Sequence, residues 1–300
     1  MKPKSIYADG FDFEVIKAPI FIQKSETDFI RDDRKMAILN DKTDKVISYM
    51  DNGYRLFNNA EFTALTEKVR DNLGLEINHY ATHNDGQKVL SVFNKADQVY
   101  MVGDYTFDNH VVLYDGRDGS HKLSVGGAGK LHRCQNMFTS TKVQFSVYHN
   151  SSLDTMLREF EANLVKFAAD QKIYIQRLES LMDIKVDKSA LYKLVSGWVQ
   201  LKPSEVKAVA EGKHVGQDIS TRKSNIITDL SKAYDVEVNG GTVHKKGYNI
   251  DVSGVGETGF GLLNTVTHYY THNRDNNVAN LLFSDFGKKE RQVIEFAESI

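Results

Sequence analysis

The side chains best suited to holding a ligand lie in the middle of the chain. Lys122, Lys130, His132, Arg133 and Lys142 fall within 21 consecutive residues that contain no acidic side chain. Tyr148 and His149 end the strand-like run that follows. Cations that take phosphates, interleaved with flat rings that stack on bases, are what a single-stranded nucleic acid requires. Lys122, Lys130, His132, Arg133 and Lys142 are therefore the candidate phosphate contacts, and Tyr148 is the candidate stacking platform. Arg34 and Lys35, much earlier in the chain, are outlying candidates for the same role. The competing reading is a sheet face whose charges are simply solvated.

Other motifs carry less chemistry. Gly254-Val255-Gly256-Glu257-Thr258-Gly259 spells the dinucleotide fingerprint, in which glycines let a backbone approach a pyrophosphate at a helix N-terminus. Only 41 residues follow Gly259 and they read as helix, so the second strand of the required unit is lacking. A glycine-rich loop entering a packed helix is the reading that remains. Gly126-Gly127-Ala128-Gly129-Lys130 fails the phosphate-loop pattern, with Ser124 in place of its first glycine and Leu131 in place of its Ser/Thr. His268 and His272 stand four apart, as metal ligands on one helix face do, but His-Tyr-Tyr-Thr-His has no glutamate to complete a metalloprotease signature. Cys134 has His132 two residues away and no third group to orient it, so a small buried thiol is expected. No Gly-x-Ser-x-Gly elbow occurs and no close carboxylate pair stands out. The sequence thus points to no catalytic residue, metal or cofactor.

Composition sets the bounds. The chain has 300 residues, 41% apolar and 26% charged, which is the ordinary globular range and excludes fibrous and disordered classes. One cysteine excludes a disulfide scaffold and any multi-cysteine metal site. A net charge of −2 excludes a uniformly basic protein but is compatible with one positive groove. No run approaches the ~18 apolar residues of a membrane span, and Asp9, Asp12 and Glu14 break up the basic start before any signal-like core. A cytoplasmic protein is expected.

The elements that must position these residues read as α+β. Met36–Leu39 and Val46–Met50 flank a polar Asn40–Asp44 cluster, the pattern of a hairpin. Phe62, Leu65, Val69 and Leu73 predict a helix over 59–73 with Gly74 as its C-cap. From 76 to 150 the pattern is strand and turn, with Asn84-Asp85-Gly86 and Asp115–Gly119 as the strongest turns. Leu153 to Leu181 then predicts an amphipathic helix of up to thirty residues. Helices follow, one starting at Pro203, and 238–259 reads as loop apart from strand-like Tyr248–Val252. The expected organisation is an antiparallel sheet with hairpins packed on a long helix over 1–182, then a mostly helical region over 183–300.

Four segments carry a resemblance: Gly53-Tyr54 to Asn58, Glu61 and Phe62; Tyr114-Asp115-Gly116-Arg117-Asp118-Gly119-Ser120; Arg133-Cys134-Gln135-Asn136; and Gly259-Phe260-Gly261 through Asn264, Thr267, His268 and His272. In this order they resemble the phage- and plasmid-borne proteins grouped as domain of unknown function 932, over roughly residues 25–295. Phe260 stands where a tryptophan is expected, and 183–250 matches nothing in the pattern. The resemblance implies a mobile-element protein acting in a bacterial cytosol. More distantly, the expected architecture is similar to that of phage single-strand annealing proteins, the group that contains lambda's beta protein and RecT. The leading expectation is a homo-oligomeric DNA-metabolism protein that binds single-stranded DNA, with strand annealing as its extension. The alternative is a mobile-element interaction protein, a host-factor inhibitor or assembly protein with no nucleic-acid site. An enzyme using His268, His272 or the glycine loop is the third class.

Overall fold

The structure, a computed structural model, describes residues 11–131, 136–147, 149, 153–210, 219–245, 248–274 and 285–300. The fold is α+β. Strands β1 (Val15–Gln23), β2 (Phe29–Asn40) and β3 (Val46–Asp51) form a sheet in that order, with both pairs antiparallel. The hairpin between β2 and β3 forms where expected. The Asn40 side-chain oxygen accepts from the N–H groups of Lys42 and Thr43 at 3.0 and 3.1 Å, folding the polar cluster back on itself. One face of this sheet buries Val15, Ile38 and Ile47 with Leu56.

Helix α1 (Asn59–Leu73) follows, and its limits are written in the sequence. Asn58 accepts from the Glu61 N–H while the Glu61 carboxylate accepts from the Asn58 N–H, a reciprocal capping box. Gly74, left-handed at φ 60°, ends the helix. Its inner face buries Phe62, Leu65 and Val69, and Thr66 hydrogen-bonds Ser91 on the neighbouring strand at 2.8 Å.

Strands β4 (Glu76–His83), β5 (Lys88–Val102), β6 (Tyr105–Gly116), β7 (Leu123–Leu131) and β8 (Met137–Val147) form a second sheet in chain order. The links between them are too short for the crossover that parallel pairing requires, so the sheet is an antiparallel meander. Helix α2 (Leu153–Ser180) runs 28 residues, about 42 Å at 1.5 Å per residue.

Helices α3 (Lys188–Trp198), α4 (Pro203–Ala210) and α5 (Thr221–Asn239) come next, α4 opening on its proline as expected. A hairpin of β9 (Gly240–Lys245) and β10 (Tyr248–Ser253) then occupies most of the stretch that reads as loop. Glycines 240 and 241 hide β9 from pattern reading, although Gly240 marks a close backbone approach rather than a break. Helix α6 (Gly259–His268) is buried on every side and continues as one π-helical turn over Tyr269–Asn273, and α7 (Phe286–Glu298) closes the chain. No helix among the described residues is long and apolar enough to cross a membrane.

The chain forms two compact units: 1–98, 109–127 and 142–171 in the first, 99–108, 128–141 and 172–300 in the second. The second has its own core, in which Leu191, Leu230, Tyr234, Phe260, Leu263 and Val293 are buried together.

Candidate functional site

The first unit holds a cavity of about 510 Å³. Three separate segments build its wall: Asp51 at the end of β3 with Tyr54 after it, Ser120, His121 and Lys122 between β6 and β7, and His149 after β8. That volume lies within the ~300–1,000 Å³ of small-ligand sites.

His149 anchors the site. Its Nδ1 lies 3.0 Å from the Arg55 carbonyl oxygen, which can only accept, so Nδ1 carries a hydrogen. Its Nε2 lies 2.8 Å from Oδ1 of the fully buried Asp115, as a charge contact rather than a well-aligned hydrogen bond. Both contacts suit a protonated imidazole. The Tyr54 ring stacks on it at 5.0 Å with 26° between the planes, and the Tyr54 hydroxyl donates to the Gly116 carbonyl at 3.3 Å. Beside them stands Arg117, with no solvent exposure and no hydrogen-bond partner for Nε, Nη1 or Nη2. A buried guanidinium with all its donors idle is costly, of the order of 1–3 kcal/mol or more.

Burial pulls Arg117 down to about 10, against the opposing pull of Asp115 and Glu14. Burial also depresses His149, but the carboxylate of Asp115 overcomes it and the imidazole titrates above its ordinary value. His121 moves the other way, lowered by burial and by Lys88. Burial and the nearby Asp115 push the Tyr54 hydroxyl well above the usual phenol range. Because His149 is raised by folding, its ion pair stabilises fully below the unfolded imidazole value of ~6.5, and that contribution is lost as pH rises through the folded value. The thermal midpoint is therefore expected to fall with rising pH just above 6.5, and His149→Gln is expected to flatten that slope in melts recorded across pH.

Ser120 and His121 do not form a nucleophile pair. The Ser120 hydroxyl donates to Asp118 at 2.5 Å, so His121 Nδ1, 2.8 Å from the same oxygen, must donate to it. A serine nucleophile needs the reverse, a histidine that accepts the serine proton.

The residues singled out in the sequence fall in different places. Lys122 lines the cavity. Lys35 sits on β2 and pairs at 2.8 Å with Asp51, itself in the cavity wall. Arg34 is exposed and lies 3.8 Å from Asp32. Lys130, half-buried near the end of β7, belongs to the second unit. His132, Arg133, Cys134 and Tyr148 lie outside the described residues; Lys142 has its backbone in β8, but its side chain is not described. Sequence reasoning missed Tyr54, Asp115, Arg117 and His121 as site residues, and passed over His149 in favour of its neighbour. Tyr54, Asp115 and Arg117 do belong to the segments that carry the family resemblance, the one signal that reached them.

The second unit gathers the remaining motifs into a buried polar network. His268 Nδ1 lies 2.8 Å from the Glu237 carboxylate, and its ring meets that of His272 edge-on at 4.9 Å. His272 Nε2 lies 3.0 Å from the Asn136 side-chain oxygen, and the Asn136 amide donates to the Asn264 backbone carbonyl at 3.2 Å. Among the described residues no group of three or more His, Cys, Asp or Glu is placed to hold a metal ion. The glycine fingerprint proves to be packing: a Cβ on Gly254 would lie 2.2 Å from the Val238 carbonyl oxygen. That is backbone crossing backbone at the end of α5, not a phosphate cradle.

A family model described as Domain of unknown function (DUF932) matches residues 46–295. No curated protein and no solved structure matches the chain.

Proposed function

The chain belongs to the family of domain of unknown function 932, and on that premise we propose that it binds single-stranded DNA, with the cavity of the first unit taking one nucleotide. The observation that carries this reading is the meeting, at one cavity, of a stacked Tyr54–His149 pair with His121 and Lys122; the buried Arg117 is not in the cavity wall but acts on Tyr54 through its charge. Rings of this kind hold bases, and cations beside them hold phosphates. An anionic oxygen that reached Arg117 would also recover hydrogen bonds the folded chain leaves unmade. Strand annealing in a phage or plasmid context, by an oligomer, extends the same reading: a protein that holds bases on its rings presents them for pairing.

Fluorescence anisotropy of a labelled oligonucleotide, titrated across salt concentrations, tests it. Saturable binding is expected at low salt regardless of base sequence. Lys122→Ala is expected to weaken it several-fold and to flatten the salt slope by about 0.7 per phosphate contact removed. Failure of the wild-type protein to bind at low salt defeats the reading.

A further inference from the structure

Beyond Pro19 the first sheet becomes a two-stranded arm. The β1–β2 register steps there, from Pro19 opposite Met36 to Ile20 opposite Asp32, looping out Asp33, Arg34 and Lys35. β3 pairs with β2 only as far as Lys35, so among the described residues no strand pairs with the outer edge of Phe29–Asp32 or with the outer edge of β1. Opposite residues share a face: Phe21 with Arg31 and Gln23 with Phe29 on one, Ile20 with Asp32 and Ile22 with Ile30 on the other. Both faces are bare, with Phe21 56%, Ile22 53% and Phe29 55% exposed. Of the ten large hydrophobic side chains that stand exposed among the described residues, seven belong to this one sheet: these three with Ile16, Ile30, Val46 and Tyr49. A hairpin alone is marginal in water, and apolar side chains concentrated on an open strand edge mark a docking surface.

We infer that the β1–β2 arm is a self-association surface that pairs with the same arm of a second copy of this chain. Charge selects the occupant. Residues 16–35 carry Lys17, Lys24, Arg31, Arg34 and Lys35 against Glu26, Asp28, Asp32 and Asp33, with the signs interspersed. Such a strip does not attract a polyanion or an anionic bilayer, but it complements itself when reversed. An isologous contact between two such arms closes on itself as a two-fold dimer. Those twenty residues with Val46 and Tyr49 also match the roughly 20–30 a side of a standard interface. The inference does not rest on the nucleic-acid reading.

Sedimentation velocity of the full chain over the micromolar range tests it. The wild-type protein is expected to sediment as a dimer or larger, and the double variant Phe21→Ser, Ile30→Ser, which alters both exposed faces, to dissociate at least about tenfold more readily. A second variant, Phe29→Lys, is expected to do the same, and unchanged thermal midpoints show that both variants fold. A wild-type monomer across the range overturns the inference, as do variants that stay associated. A monomer that floats with neutral phosphatidylcholine vesicles assigns the arm to lipid and overturns it too.

Discussion

Arg117→Met is expected to raise the thermal midpoint of the unliganded protein while lowering its affinity for single-stranded DNA about tenfold or more. The guanidinium is sealed from solvent and donates no hydrogen bond, so only the charges of Asp115 and Glu14 offset its desolvation. Methionine fills much of the same space with no charge. Asp115 keeps its contact with His149, so the fold sheds a buried charge without orphaning its counterpart, and each kcal/mol gained is worth roughly 2–4 °C in a chain of this size. Calorimetry and anisotropy on the same preparation read the two effects. A lower midpoint with unchanged affinity makes Arg117 a structural residue and removes it from the site.

Asp115→Ala is expected to act in the opposite direction and to be the most destabilising of the substitutions considered. Asp115 is the buried carboxylate facing His149, and its charge is the strongest that opposes the burial of Arg117. Removing one member of such a cluster typically costs about 3–5 kcal/mol, because the charges left behind have no counterpart. The midpoint is expected to fall by roughly 10 °C. His149 recovers part of the loss by giving up its proton, since Asp115 no longer offsets the burial that disfavours its charged form. Combining Asp115→Ala with Arg117→Met is expected to cost less than Asp115→Ala alone, because the second substitution removes one orphaned charge. A double-mutant cycle by chemical denaturation measures that coupling.

These expectations rest on residues that the sequence exposes unevenly. Helix α1 was legible to its ends, because Asn58, Glu61 and Gly74 are local signals and each acts within four residues of its own position. The Asn84–Gly86 turn and the long α2 were legible for the same reason, since turn chemistry and helical period need no distant partner. Strand β9 was not, since Gly240 answers to the backbone of β10 rather than to its own neighbours. The cavity was harder still. Lys122 emerged because cations near it in sequence form a visible run, yet the other walls come from residues 51–54 and 149. An Asp-Gly-Arg-Asp-Gly stretch reads as an exposed turn. That its arginine is buried follows from what covers it, which no local pattern records. Segments quoted only for a family resemblance reached further: Tyr54 and Asp115 meet in one unit, and Asn136, Asn264, His268 and His272 meet in the other.

The location of the nucleotide is the central claim, and photochemical cross-linking addresses it most directly. An oligothymidylate carrying 5-iodouracil, irradiated with the wild-type protein at low salt, is expected to attach to the peptides that contain Tyr54 and His149, with the yield falling sharply in Arg117→Met. Attachment confined to other peptides, or none at oligonucleotide concentrations well above the protein's, contradicts a nucleotide seated in this cavity.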